Sequence, residues 1–439
     1  MPLGLVAFVA SWWGTAYLRA WAKLEIVAAG EPLWFSELDV LPQPDVIDLL
    51  LQAEKAMVKP PDEDRTIVNT YIRPDDALNP EHLPALRRHV EANQAMATET
   101  LHRDERLDSP TPLWEGVRSL ISPVMAVRRL YHCRYRVALM EGNNADALER
   151  LHDQWNVANL PASNDPVMDR VWKLAIVAST VRELQRLLAV DDLSNVAFKR
   201  LDQRLTTEQR RERTRPIALA TRAAIHTSFV NVDAKKLLEL VETVERMSPG
   251  SILDVLLGRN RPPEPPTVAD RVRSLKLRLM PTVLGEPILM EGLAETLRLN
   301  TEVVGLMDEV GPEARERAQE LRRQIETSSK TTPFPLVYDI LNGLMTTRLG
   351  SLRVRQRLAL ARLGIRVDRY RATHGKLPER LDQVLDDNLE ELPVCLFTGK
   401  PLIYRPTESG FTIHNPGKEG SETGEPKEDF TVAVFKIEY

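Results

Sequence analysis

Apolar positions recur at helical spacing through most of the chain, and strand-like alternation is confined to its C-terminal end. Ser122-Pro123 reads as a cap followed by proline at the first helical position. Val124, Val127, Leu130, Tyr131, Cys133, Val137 and Leu139 then make a broad apolar face, which Gly142-Asn143-Asn144 stops. Ala145 starts a second helix carrying Leu148, Leu151, Trp155 and Ala158. Asp165-Pro166 repeats the cap-then-proline signature and predicts a strongly apolar helix over 167–188. Asp192 or Ser194 caps another, with Val196, Phe198 and Leu201, and Thr206 or Thr207 with Glu208 opens a further, charged one. Upstream, residues 24–120 read as short elements broken by prolines, with a helix candidate at 84–103 bearing Leu86, Val90 and Met96.

The turn at Glu141-Gly142-Asn143-Asn144, followed by Ala147 and Leu148, has the small-residue form of a tetratricopeptide-type hairpin. No strict repeat accompanies it, so an irregular helical-hairpin array and a non-repetitive bundle stand as alternatives. Arg261-Pro262-Pro263-Glu264-Pro265-Pro266 is the strongest linker signal, since clustered prolines hold the backbone extended. Helical segments resume at Thr267, with breaks at Pro281, Gly285-Glu286-Pro287, Gly311-Pro312 and Pro333-Phe334-Pro335, and a last long helix covers 336–373. Gly375 and Pro378 end it, and 379–384 predicts a short helix. Ile403 and Tyr404, Phe411 and Ile413, and Val432 and Val434 predict three short strands. The predicted fold is mainly α, a TPR-like array or bundle with a small C-terminal α+β module containing a three-stranded antiparallel sheet. The expected divisions are 1–22, 23–260, 261–369 and 370–439.

The first of these is uncharged from Pro2 to the residue before Arg19, and Trp12, Trp13, Tyr17 and Trp21 resemble interfacial anchors. Its length approaches the ~20 residues of a bilayer crossing. The expectation is a transmembrane anchor that holds the body at the cell envelope, on the periplasmic side; the alternative is a buried first helix. Across 439 residues, 58 basic and 63 acidic side chains give a net charge of -5, which argues against a nucleic-acid partner. Cys133 and Cys395 are far apart in sequence and have no metal-ligand spacing around them.

The sequence has no phosphate-binding glycine loop, no nucleophile elbow and no His-Glu-x-x-His pair. His82 and His89, seven apart, form a weak metal pair without a third ligand. Arg355, Arg362, Arg366 and Arg369 fall on one helical stripe. That stripe is either a solvated face beside a core face or a surface for an acidic polymer, lipid headgroups or a partner helix. The acidic loop at 417–429 brings Glu419, Glu422 and Asp429 together as candidate calcium ligands, with a plain solvated hairpin loop favoured over them.

Tyr370, Gly375 and Pro378, then Leu392-Pro393, then Gly399-Lys400-Pro401-Leu402-Ile403-Tyr404, follow the pattern of the globular end of type II secretion major pseudopilins, which this tail resembles. The resemblance implies calcium in the last loop, although Glu419 stands where that family has Asp and Cys395-Leu396 replaces its Asp-Pro. No prepilin peptidase signature opens the chain. The overall layout, from about residue 122 onward, is similar to planctomycete-type bacterial envelope proteins that join an apolar N-terminal segment, a helical body and a pseudopilin-like tail. The functional expectation is a non-catalytic scaffold with a protein partner and no cofactor. A hydrolase with a cleft between helices and an accessory component of a secretion or pilus-like assembly are the alternatives.

Overall fold

The structure is a computed structural model. It describes residues 51–70, 78–94, 121–159, 166–190, 194–231, 285–331 and 335–416, apart from 213, 387, 388, 390, 408 and 409. Helices dominate: α1 (Asp62–Thr70), α2 (Leu83–Ala92), α3 (Ile121–Met140), α4 (Asn144–Ala158), α5 (Pro166–Val190), α6 (Asn195–Arg211), α7 (Arg215–Asn231), α8 (Gly285–Leu306), α9 (Pro312–Thr331) and α10 (Pro335–His374). One antiparallel hairpin follows, β1 (Ile403–Thr407) and β2 (Gly410–His414), paired from Ile403 opposite His414 to Thr407 opposite Gly410. The third expected strand, at Val432 and Val434, and the linker at 261–266 lie outside the described residues.

Local signals account for most boundaries. Gly142 takes φ 69° between α3 and α4, and the Asn143 side chain accepts from the Asp146 N–H to cap α4. The Ser194 hydroxyl accepts from the Ala197 N–H and caps α6. The expected breaks at Gly285, Pro312 and Pro335 are the starts of α8, α9 and α10. Gly375, at φ 70°, receives the end of α10, and a single 3-10 turn over Leu381–Val384 stands where a short helix was expected. The break expected at Thr206 or Thr207 does not occur. Both hydroxyls donate back to carbonyls one turn earlier, at Asp202 and Gln203, so they sit within α6 rather than capping a new helix.

The 40-residue α10, about 60 Å long at 1.5 Å per residue, takes part in three cores. Tyr338, Leu341, Leu344 and Met345 pack with α7, α8 and α9. Val354, Leu358, Ala361 and Ile365 pack into the core of α3–α6, around Leu151, Trp155 and Val181. Leu360, Leu363 and Val367 meet Leu381, Val384, Phe411 and Ile413 of the C-terminal module. A smaller cluster joins α1, α2 and α3 through Val68, Leu86 and Cys133.

The turn at 307–311 ties the second core to everything around it. The Thr214 hydroxyl donates to the Met307 carbonyl at 2.9 Å, and the Thr214 N–H donates to Asp308. Arg348 of α10 donates to the carbonyls of Leu306 (2.8 Å) and Glu309 (2.9 Å), satisfying the open end of α8. The Gly311 N–H donates to the Leu396 carbonyl at 2.8 Å, and the Leu396 N–H donates to Gln356 of α10 at 2.8 Å.

No helix among the described residues is long and apolar enough to cross a membrane. Even α10, the longest, carries eight arginines between Arg348 and Arg371. The expectation of a transmembrane helix, and the envelope localisation drawn from it, is corrected accordingly. Residues 1–22, on which it was based, lie outside the described residues.

Because α10 is common to the cores, Leu341→Ala and Leu358→Ala should each lower stability by roughly 2–5 kcal/mol, the cost of emptying a filled apolar site. Both should shift the same single transition in urea denaturation followed by circular dichroism. Two separately moving transitions would show that α10 does not couple the two cores.

Candidate functional site

The arginine stripe of α10 lies against α6 and the C-terminal module. Arg362 and Arg366 are only 9% and 6% exposed. Arg362 donates from Nε to Asp202 Oδ1 at 3.1 Å and from Nη1 to Gln209 Oε1 at 3.4 Å. Arg366 donates from Nη2 to Asp202 Oδ2 at 2.7 Å and from Nη1 to Asp386 Oδ1 at 2.7 Å. Arg355 is half-buried, and its charge acts on Glu212 at the end of α6. Arg369 is also half-buried. Reading up α10 through 355, 362 and 366 therefore reads down α6 through 212, 209 and 202, as antiparallel helices require. Burial works against the Arg366 charge, but Asp202 and Asp386 more than offset it and raise its pKa above the ordinary guanidinium value. A solvated stripe, or one offered to a partner, is replaced at Arg362 and Arg366 by an internal brace.

A second charged centre is sealed between α3 and α5. Glu183 is fully buried; Arg136 Nη2 lies 3.0 Å from its Oε1, and Arg186 Nη1 and His132 Nε2 each lie 3.6 Å from it. The Tyr135 hydroxyl donates to the Glu183 main-chain carbonyl at 2.6 Å. Burial raises the Glu183 pKa against the pull of the arginines. Burial, reinforced by Arg136, Arg128 and Arg186, holds His132 well below the ordinary imidazole value. His132 is therefore neutral, and its contact with Glu183 is not an ion pair. Burial also pushes the Cys133 thiol up to about 12, which leaves it a poor nucleophile.

Glu212, equally buried, meets Arg170 Nη2 at 2.5 Å and Lys173 Nζ at 3.9 Å. Arg170 also reaches Ser351 of α10 at 3.4 Å. These groups belong to side-chain types used in acid–base chemistry, but their geometry joins helices. The acids on α3–α6 carry no motif, and their helical spacing alone does not disclose which arginine each one meets.

An open recess lies between α8 and α9, with a volume of about 330 Å³. Its lining is Glu302, Gly305 and Leu306 from α8, Glu309 from the turn that follows, and Arg317, Glu320, Leu321 and Gln324 from α9. Leu306 and Leu321 form its apolar part, and Arg317 pairs with Glu309 beside the 307–311 turn. Sequence inspection did not mark this place, because its residues are ordinary for a solvated helical hairpin.

The candidate calcium ligands Glu419, Glu422 and Asp429 lie outside the described residues. Among the described residues no three His, Cys, Asp or Glu side chains are grouped to hold a metal ion. His82 lies in the 3-10 turn before α2, 3.5 Å from the Asn79 amide nitrogen, whereas His89 is buried on α2 against Asn93. Cys133 and Cys395 are both buried and free.

Asp202 holds two guanidinium groups, so Asp202→Ala should destabilise the chain by about 2 kcal/mol, discounted from the cost of breaking a fully buried pair because Asp202 is partly exposed. The triple variant D202L/R362M/R366M should recover most of that loss in urea melts. Equal losses for both variants would mean that packing, not charge, is what matters there.

A pH effect follows from His152, whose pKa burial, with Arg200 and Arg204 adding to it, lowers to about 4. The unfolded chain binds this proton near the ordinary value of 6.5, so stability is complete above that pH and is lost as pH falls toward 4. The raised carboxyls of Glu183 and Glu212 act in the opposite direction, so the difference between wild type and His152→Gln isolates the histidine. That difference should shrink by on the order of 2 kcal/mol between pH 7 and pH 4. A pH-independent difference would place the His152 pKa near its ordinary value.

No family model matches the chain, and no curated protein or solved structure matches it.

Proposed function

We propose that this chain is a non-catalytic interaction protein, a helical scaffold that holds a protein partner and needs no cofactor. The observation that carries this reading is where its charges lie. Glu183, Glu212, Arg362 and Arg366 are sealed in contacts between helices, while the open cleft is lined by exposed glutamates over leucines. The first arrangement suits a rigid body and the second suits a contact surface. We read the helical body as an irregular array of TPR-like hairpins, supported by the α3–α4 turn, with Ala147 and Leu148 packed back on α3. We read the C-terminal module as pseudopilin-like and place a third strand, from Val432 and Val434, beside the β1–β2 hairpin. The ending of α10 at Gly375 and the Tyr404 hydroxyl donating to the Pro378 carbonyl at 2.9 Å support that reading.

Size exclusion separates this reading from its alternatives. The full chain in extract of the cells that make it should elute in an assembly larger than the purified 49.7 kDa chain forms alone. Identical elution of the two samples, at low and physiological salt, would overturn the scaffold reading.

A further inference from the structure

We propose that the cleft between α8 and α9 is a docking groove for a basic amphipathic helix of a partner protein, which inserts one large apolar side chain over Gly305. This deepens the scaffold reading and depends on it. Residues 302, 305 and 306 of α8, continued by Glu309 of the turn after it, face 317, 320, 321 and 324 of α9, and both sets follow the i, i+3, i+4 spacing of one helical face. The two helices thus turn matching faces to one groove, the geometry into which a third helix fits. At about 330 Å³ the recess is at the small end of the ~300–1,000 Å³ seen for binding pockets, which suits a side-chain anchor better than a whole metabolite.

Gly305 is the second observation. It is helical and exposed, and a Cβ built on it would meet nothing within 4 Å. Glycine weakens a helix relative to alanine, and here no internal close approach or positive φ calls for it. Gly350 is different, because a Cβ there would meet Leu174 at 3.2 Å. What Gly305 does is leave the wall of the groove open beside Leu306 and Leu321.

Charge decides the partner's chemistry. The lining carries three glutamates, Glu302, Glu309 and Glu320, against Arg317 alone. Arg317 is engaged by Glu309. Glu302 and Glu320 are held by exposed contacts within their own helices, Glu302 by Arg298, and Glu320 by Arg323 and by the Gln324 amide at 3.4 Å. Such pairs contribute little and exchange readily with an incoming lysine or arginine.

The groove is also held open before anything binds. Ser328 reaches Glu295 at 3.4 Å toward one end, and Thr214, Arg348 and Leu396 fix the 307–311 turn at the other.

The test uses the full chain and a fluorescent amphipathic leucine–lysine helical peptide, with a leucine–glutamate peptide of the same pattern as control. Anisotropy titration should show saturable binding of the leucine–lysine peptide only. Gly305→Gln, which fills the groove without changing charge, should weaken it at least about tenfold while leaving Tm unchanged or raised. Glu320→Lys should weaken it as well. No binding to wild type, equal binding to Gly305→Gln, or equal binding of the leucine–glutamate peptide would each overturn the proposal. A chain that fails here yet still elutes in a larger assembly from extract keeps its scaffold role and loses only this groove.

Discussion

The constraint that governs this molecule is that a single helix must satisfy three cores while carrying arginines along its last two thirds. Leucines on several sides of α10 reach three hydrophobic clusters, so few of its faces are left for water. A guanidinium on such a helix has either to emerge at the surface or to find acids in the interior. Arg362 and Arg366 take the second course, and they share one carboxylate, Asp202. That sharing fixes the register of α10 against α6, because a slide of one turn would leave two charges buried beside leucine. Arg366 extends the restraint to Asp386, and so to the module that carries β1 and β2. Apolar packing supplies most of the stabilisation of the long helix, whereas the ionic brace selects one alignment among several that would pack nearly as well.

Arg348 does the same work one core earlier. Its donors meet the main-chain carbonyls of Leu306 and Glu309, where α8 stops and leaves acceptors open. Thr214 and Leu396 meet the same turn, from just before α7 and from the C-terminal loop. Three parts of the chain distant in sequence converge on the residues at 306–311. The groove between α8 and α9 begins beside this junction, so its shape is set by contacts outside the hairpin that forms it.

What was legible in the sequence was local. Ser194, Asn143, Pro312, Pro335 and Gly375 act at helix ends as their chemistry requires, because a cap depends on neighbours only a few residues away. Thr206 and Thr207 show where such reasoning breaks down. A threonine before a glutamate suits a helix start, but the same hydroxyl also bonds back to a carbonyl one turn earlier, and burial of Leu201, Leu205 and Glu208 on one continuous face selects the second use. The arginine stripe was legible as a stripe and not as a brace. Helical period tells which residues share a face, but Asp202 lies 160 positions from Arg362, and nothing in either segment names the other. The groove was illegible for a related reason, since glycine, leucine and glutamate gain meaning there only once two helices align.

Internal charge pairing also bears on how the surface is to be understood. Removing both Asp202-bound arginines from the solvent-facing inventory takes away the strongest cationic feature visible in the sequence. What remains exposed around α8 and α9 is a mixture in which acids outnumber bases at the groove itself. A helix pair with both signs interleaved is ordinary for solubility, and exposed pairs of this kind carry little energy. Their value lies in being cheap to rearrange. With the expensive charges locked inside, and the exposed charges loosely held beside apolar floor residues, the proposed docking in the groove would leave the cores undisturbed. The same separation places the histidine and carboxylates with displaced pKa values, His132, Glu183 and Glu212, in the buried contacts between helices, where burial is the first cause of each shift.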